Sequence, residues 1–172
     1  MKRMTKKLAM SLRKEVLPIN RKVSRLNFGG CGVFAVHFAR MLQDIGFKDV
    51  VITSMEVDSI DSYRNYHPTN LECLREVMKG NGSARNIETY YHYMVRVGKW
   101  YFDSETATKQ IGDEGVDVMV DGDEDFYFPI GDYNIEDIAF ANKFQFLWND
   151  EYDRGQNVIV KNFIKKVKTK FI

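Results

Sequence analysis

The sequence predicts an α+β fold in which helices pack on one side of an antiparallel sheet. Three observations carry that expectation. The run Cys31 to Ile45 sets Cys31, Phe34, Phe38, Leu42 and Ile45 on one stripe of a helix. The stretch "YYHYMVRVGKWYFDSET", residues 90–106, alternates with period two on either side of Gly98-Lys99, the pattern of a β-hairpin. Helical patterns fill the first half of the chain and strand patterns much of the second, an order that favours segregated layers.

Taken in order, Met4 to Val16 reads as a short helix, with Leu8, Leu12 and Val16 at four-residue steps and Pro18 just beyond. Cys31 to Ile45 is the strongest helix, and Gly46 stands where a left-handed C-terminal cap belongs. "KDVVITSMEV", residues 48–57, is a buried strand rich in β-branched residues. "TNLECLREVMKG", residues 69–80, is a second good helix: Thr69 and Glu72 make a capping box, and Gly80 closes it. Cys73 lies in that helix on the same face as Val77 and reads as a core residue. Residues 81–86 form a loop before the hairpin. "VDVMV" and "FYFPI" are further strands joined by the acidic turn "DGDED", residues 121–125. "NIEDIAFANKF" is a short helix, and "NVIVKNFIKKVKTKF" fits either a closing strand or a basic amphipathic helix.

A chain of 172 residues suits one domain. The expected domain is residues 1–172, with a core of about residues 24–148 between basic N- and C-terminal segments. At 44% hydrophobic and 13% aromatic residues it has material for a core without disulfides. Two cysteines, far apart, make no disulfide framework, and no Cys/His spacing is that of a zinc site. Neither a metal nor a cofactor is expected. The basic N-terminus lacks the apolar block of a signal peptide, and no apolar run is long enough to cross a membrane, so a reducing, cytoplasmic setting is the simplest expectation.

The net charge is +1, but the charges are sorted. Met1 to Arg25 and the tail "VKNFIKKVKTKFI" are basic, while residues 111–137 hold ten acidic residues and no lysine or arginine. Such blocks are ordinarily solvated faces; an acidic rim would favour a basic peptide. Neither basic end carries a nucleic-acid motif, so nucleic acid is not an expected partner. Two weaker patterns fall away. Phe126 stands where a calcium loop beginning at Asp121 needs glycine, and "NFGGCG" lacks the lysine of a phosphate loop.

The chemistry centres on Cys31. Gly29 and Gly30 allow a tight turn, and the first turn of a helix offers unpaired N–H groups and a partial positive charge. Both favour thiolate over thiol. The alternative is an inert, buried thiol. A nucleophilic thiol needs a base. His37 points about 120° away from Cys31 on the same helix, at about 100° per residue, and reads as structural. His67 precedes Pro68 in a loop. His92 lies in the hairpin. With a two-residue turn at Gly98-Lys99, Met94 faces Asp103 and His92 faces Glu105, so all four share one face of the sheet. Asp103 is then a diagonal neighbour of His92, within side-chain reach, and Glu105 is the reserve acid for orienting the imidazole.

A helix headed by "GGCGVFA", followed by "HYMVRVGKWYFDSET", resembles the papain-like cysteine hydrolases in the broad sense. That superfamily takes in transglutaminase-like proteins, arylamine N-acetyltransferases and bacteriocin-processing peptidases. The likeness spans about residues 24–105. It implies a papain-like or transglutaminase-like fold, with a central helix headed by cysteine packed on an antiparallel sheet. It also implies a catalytic Cys31, a general acid and base in His92, and an orienting Asp103. The implied reaction is attack on an amide or thioester of a peptide, isopeptide or protein substrate through a covalent thioester, as hydrolase or acyltransferase. Two features of the family are missing. No glutamine stands shortly before Cys31, where Asn27 is the nearest amide available to an oxyanion hole, and no tryptophan lies near the cysteine. The alternative on the same scaffold is a catalytically inactive binding or inhibitor protein acting through its charged surfaces. In general character the chain also resembles small bacteriophage proteins, without a motif to carry that likeness.

Overall fold

The computed structural model describes residues 2–27, 29–57, 92–109, 116–120, 123–145 and 152–172. The helix expected over residues 69–80 with Cys73, the loop at 81–86, and His67 lie outside the described residues. Helix α1 spans Lys6–Val16. Thr5 caps it, its side chain accepting from the N–H of Leu8 at 3.2 Å, and Pro18 stands in the first turn of the 3-10 helix Leu17–Arg21 that follows. Helix α2 spans Cys31–Asp44 and ends at Gly46, whose φ of +102° supplies the left-handed cap.

Among the described residues six strands follow: β1 (Val50–Val57), β2 (His92–Val97), β3 (Trp100–Phe102), β4 (Ala107–Lys109), β5 (Val116–Val120) and β6 (Asp123–Tyr133). They pair antiparallel in the order β4-β3-β2-β1-β6-β5. Helices α3 (Ile135–Gln145) and α4 (Asn157–Lys168) close the chain. The fold is α+β, as the order of patterns predicts. No described helix is long and apolar enough to cross a membrane.

One expected element differs from the sequence reading, and one open alternative is decided. Residues 123–125, expected in the acidic turn, are strand. Strand β6 begins at Asp123, and Asp123, Glu124 and Asp125 pair with Val120, Met119 and Val118. Backbone pairing within a ladder outweighs the weak strand preference of acidic residues. The tail, which fitted a strand or a helix, is the helix. Val160, Ile164 and Val167 sit at helical spacing and are all buried.

Helix α2 is the centre of the molecule. Ten of its residues are buried, and it packs against α3, α4, β1 and β2. Tyr93, Val95 and Val97 of β2 join the same core, together with Ala9, Leu12 and Val16 of α1 and the buried residues of α4. Both basic ends are therefore amphipathic helices that complete the core. Met94 points the other way, as strand alternation requires, into a second cluster with Met55, Tyr101, Val116 and Tyr127.

Candidate active site

The loop before α2 is shaped by two glycines with different reasons. Gly29 has φ +109°, a conformation that side chains other than glycine rarely adopt. Gly30 is the residue preceding the helix, and a Cβ there would meet ring carbons of Tyr152 at 2.5 and 2.7 Å and the carbonyl of Leu26 at 2.9 Å. Tyr152 is buried, and its hydroxyl donates to Asn157 Oδ1 at 3.0 Å. The chain after α3 thus closes over the glycine loop. A second clasp lies beside it: Ser24 N–H donates to Gln156 Oε1 at 2.9 Å, and Gln156 Nε2 donates to the Ser24 carbonyl at 3.3 Å.

That loop delivers Cys31 as the first residue of α2, with 3% of its surface exposed. His92, the first residue of β2, lies opposite it. The hairpin has the expected register, with Val97 opposite Trp100, Arg96 opposite Tyr101 and Val95 opposite Phe102, and Gly98 takes φ +60° in the turn. Continued outward, that register brings Asp103 to the imidazole, and His92 Nε2 lies 2.9 Å from Asp103 Oδ2, both side chains being almost wholly buried. The ring also packs against Tyr127, with centroids 5.6 Å apart.

Asp103 is held at both oxygens. Oδ1 accepts the N–H of Glu105 at 2.8 Å and of Thr106 at 2.6 Å, while the Asp103 N–H donates to the Thr106 carbonyl at 3.1 Å. This is an aspartate turn folded on its own backbone. It leaves Oδ2 for the imidazole. Glu105, the reserve acid, enters through its backbone: its N–H holds Asp103, and its carbonyl accepts from Arg13 Nε at 2.9 Å.

With Nε2 on Asp103, the other ring nitrogen is left for the thiol. His92 Nδ1 closes no hydrogen bond of normal geometry among the described residues, yet the ring and Cys31 interact strongly enough to shift each other. Burial pushes the Cys31 thiol up. Against it act hydrogen bonding and charge from His92 and the backbone N–H groups of Tyr93 and Gly32, and the net pKa lies below its ordinary value. Burial alone would lower the His92 pKa, but hydrogen bonding to Asp103 and to Cys31, with their charges, raises it to about 10. Both directions favour the charged forms of the pair.

Asn27, buried, hangs from the same turn. Ser104 Oγ lies 2.8 Å from Asn27 Oδ1 and 2.8 Å from Asn20 Oδ1. Asn20 is fixed by its own Nδ2, which donates to the Ser104 carbonyl at 2.8 Å and to the Leu17 carbonyl at 3.3 Å. One hydroxyl proton serves one oxygen at a time. With the proton on Asn27, its Nδ2 is the amide atom without a partner; with the proton on Asn20 and the Asn27 amide turned over, Nδ2 donates to Ser104 and Oδ1 is left. Either way a buried amide atom is left without a partner among the described residues, which costs about 1–3 kcal/mol unless another group meets it.

His37, on α2, is half-buried, and its pKa is lowered by burial and then by the charges of Arg40 and Lys161, a setting away from the thiol. Among the described residues, no three His, Cys, Asp or Glu side chains cluster as metal ligands. Sequence reading missed Ser104, Thr106 and Tyr152. The first two flank Asp103 in "DSET" and act by a turn that no periodicity signals; Tyr152 is remote in sequence and acts by proximity alone. Searches against protein-family models, curated proteins and solved structures each returned no match.

Proposed function

We propose that the protein is a cysteine-dependent hydrolase or acyltransferase of papain-like type, acting on an amide or thioester of a peptide or protein. The observation that carries the reading is the buried His92–Asp103 hydrogen bond of 2.9 Å, with the remaining imidazole nitrogen open beside a thiol of lowered pKa at a helix start. A buried imidazole with a carboxylate on one nitrogen and only a loose thiol contact on the other suits a base placed beside a nucleophile.

In this reading the Cys31 thiolate attacks the carbonyl carbon, and the carbonyl electrons move to oxygen. The backbone N–H of Cys31 and the Asn27 amide receive the oxyanion. As the tetrahedral species collapses, the leaving group departs with the proton of the His92 imidazolium, leaving a thioester on Cys31. Water or an amine then attacks the thioester, giving its proton to His92, and the thiolate is released. Asp103 keeps the imidazole in one orientation and stabilises its cation throughout.

The test is the rate of Cys31 alkylation by iodoacetamide from pH 5 to 10, followed by mass spectrometry with Cys73 as internal control. A paired thiolate reacts with a midpoint below the ordinary thiol value of 9.0. In His92→Ala, burial acts without the imidazole and the midpoint moves above it. A midpoint unchanged by His92→Ala would remove the basis for the proposal and favour the binding or inhibitor protein on the same scaffold.

A further inference from the structure

The far end of strand β2 carries a second feature that the triad does not use. Between the N-terminal segment, the α2–β1 loop and the hairpin turn lies an open cavity of about 720 Å³. Its rim holds six cations, Lys2, Arg3, Lys6, Lys48, Lys99 and Lys109, against one carboxylate, Asp49. The whole chain has 25 basic and 24 acidic residues, so this ratio marks a local concentration of charge. No carboxylate pairs with any of the six among the described residues. Lys2 donates to the carbonyl of Ile45 at 3.0 Å and lies over the ring of Phe47, which fixes one cation at the mouth. Trp100, partly exposed, also lines the cavity and is backed by Phe102, with ring centroids 6.5 Å apart.

We infer that this basin binds nucleotides, through phosphates on its lysines and a base against Trp100. Unpaired cations spread around a cavity suit several phosphates better than one carboxylate, and an indole face among them is what a base stacks on. The cavity has the size of a small-ligand site. An acidic peptide would use the charge and leave the indole idle. The ligand is a single strand or a free nucleotide; the chemistry is shared. Val97 at the basin lies five residues along β2 from His92, roughly 17 Å at the rise of an extended strand. The inference is therefore independent of the triad.

The experiment titrates the full chain into a fluorescein-labelled eight-residue oligodeoxythymidylate and reads anisotropy at 50 and 200 mM salt. ATP and an octa-glutamate peptide are run as competitors. Binding is expected to weaken about tenfold or more between the two salt concentrations if three phosphates are neutralised. Lys99→Glu with Lys109→Glu, two exposed positions, is expected to weaken it at least tenfold while leaving Cys31 alkylation unchanged. In a Trp148→Phe background, the remaining Trp100 emission should be quenched by the oligonucleotide. Competition by ATP at equal nucleotide concentration assigns the free nucleotide as ligand, and its failure assigns the strand. Octa-glutamate competing as well as the oligonucleotide, an unaffected Lys99→Glu/Lys109→Glu variant, or unquenched Trp100 overturns the proposal.

Discussion

The His92–Asp103 pair sets the pH behaviour of the site. The His92 pKa of about 10 lies above its free value of 6.5, so the interaction that raises it contributes stability in full below pH 6.5 and loses it as pH rises through 10. Turnover that needs the imidazolium as acid should therefore hold to about pH 10 and fall above it. Asp103→Asn removes the charge and, with the amide oxygen held by the N–H groups of Glu105 and Thr106, sets an NH2 group in place of the Oδ2 acceptor. That variant should bring the alkaline limb of a pH–rate profile with a p-nitrophenyl ester down from about 10 by a unit or more. An unmoved limb would mean that Asp103 serves only to fold its own turn. Asn27→Ala should lower kcat on the same ester about 100-fold if its amide receives the oxyanion, with little change in the alkylation midpoint. That His92 and Asp103 lie side by side was legible in the sequence because a hairpin with a two-residue turn fixes phase. The choice of Asp103 over Glu105 turns on a local fold of the aspartate onto Thr106, which sequence spacing does not encode.

Among the elements, the glycine loop and α2 form one unit with Tyr152. Gly30→Ala places a methyl group against the Tyr152 ring and should destabilise the protein by about 1–3 kcal/mol in urea unfolding. Tyr152→Leu in the same chain should return part of that loss, and strict additivity of the two changes would show that the ring is not the obstacle. Across the sheet, Asp132 accepts from Thr53 Oγ1 at 2.7 Å and pairs with Arg96, which links β2, β1 and β6 where β1 has an irregular register against β6. Helix α2, β1 and the hairpin were legible because their apolar periodicity is long and unambiguous. The tail was not, since "NVIVKNFI" carries both the β-branched residues of a strand and the spacing of a helix. Its place against α2 decides between them.

For the whole molecule, burial joins the two ends to the middle. Val160, Ile164 and Val167 share one core with Ala9, Leu12 and Phe34, and Lys168 pairs with Asp44 at 2.6 Å. Removing residues 154–172 should therefore cost cooperative unfolding altogether, read as loss of the thermal transition by circular dichroism. A truncated chain that still melts sharply would show that α4 is an appendage. The α+β layout could be read from the order of the patterns. The participation of both basic ends in the core could not, because their charge dominates the composition while their buried stripes are only three residues each.

The ring that closes over Gly30 also has a consequence in time. Cys31 is synthesised long before Tyr152 and Gln156, the residues that shape and clasp its loop. A growing chain on the ribosome therefore carries its thiol in an unfinished turn, and the geometry around that sulfur is assembled only when the last part of the fold has been made.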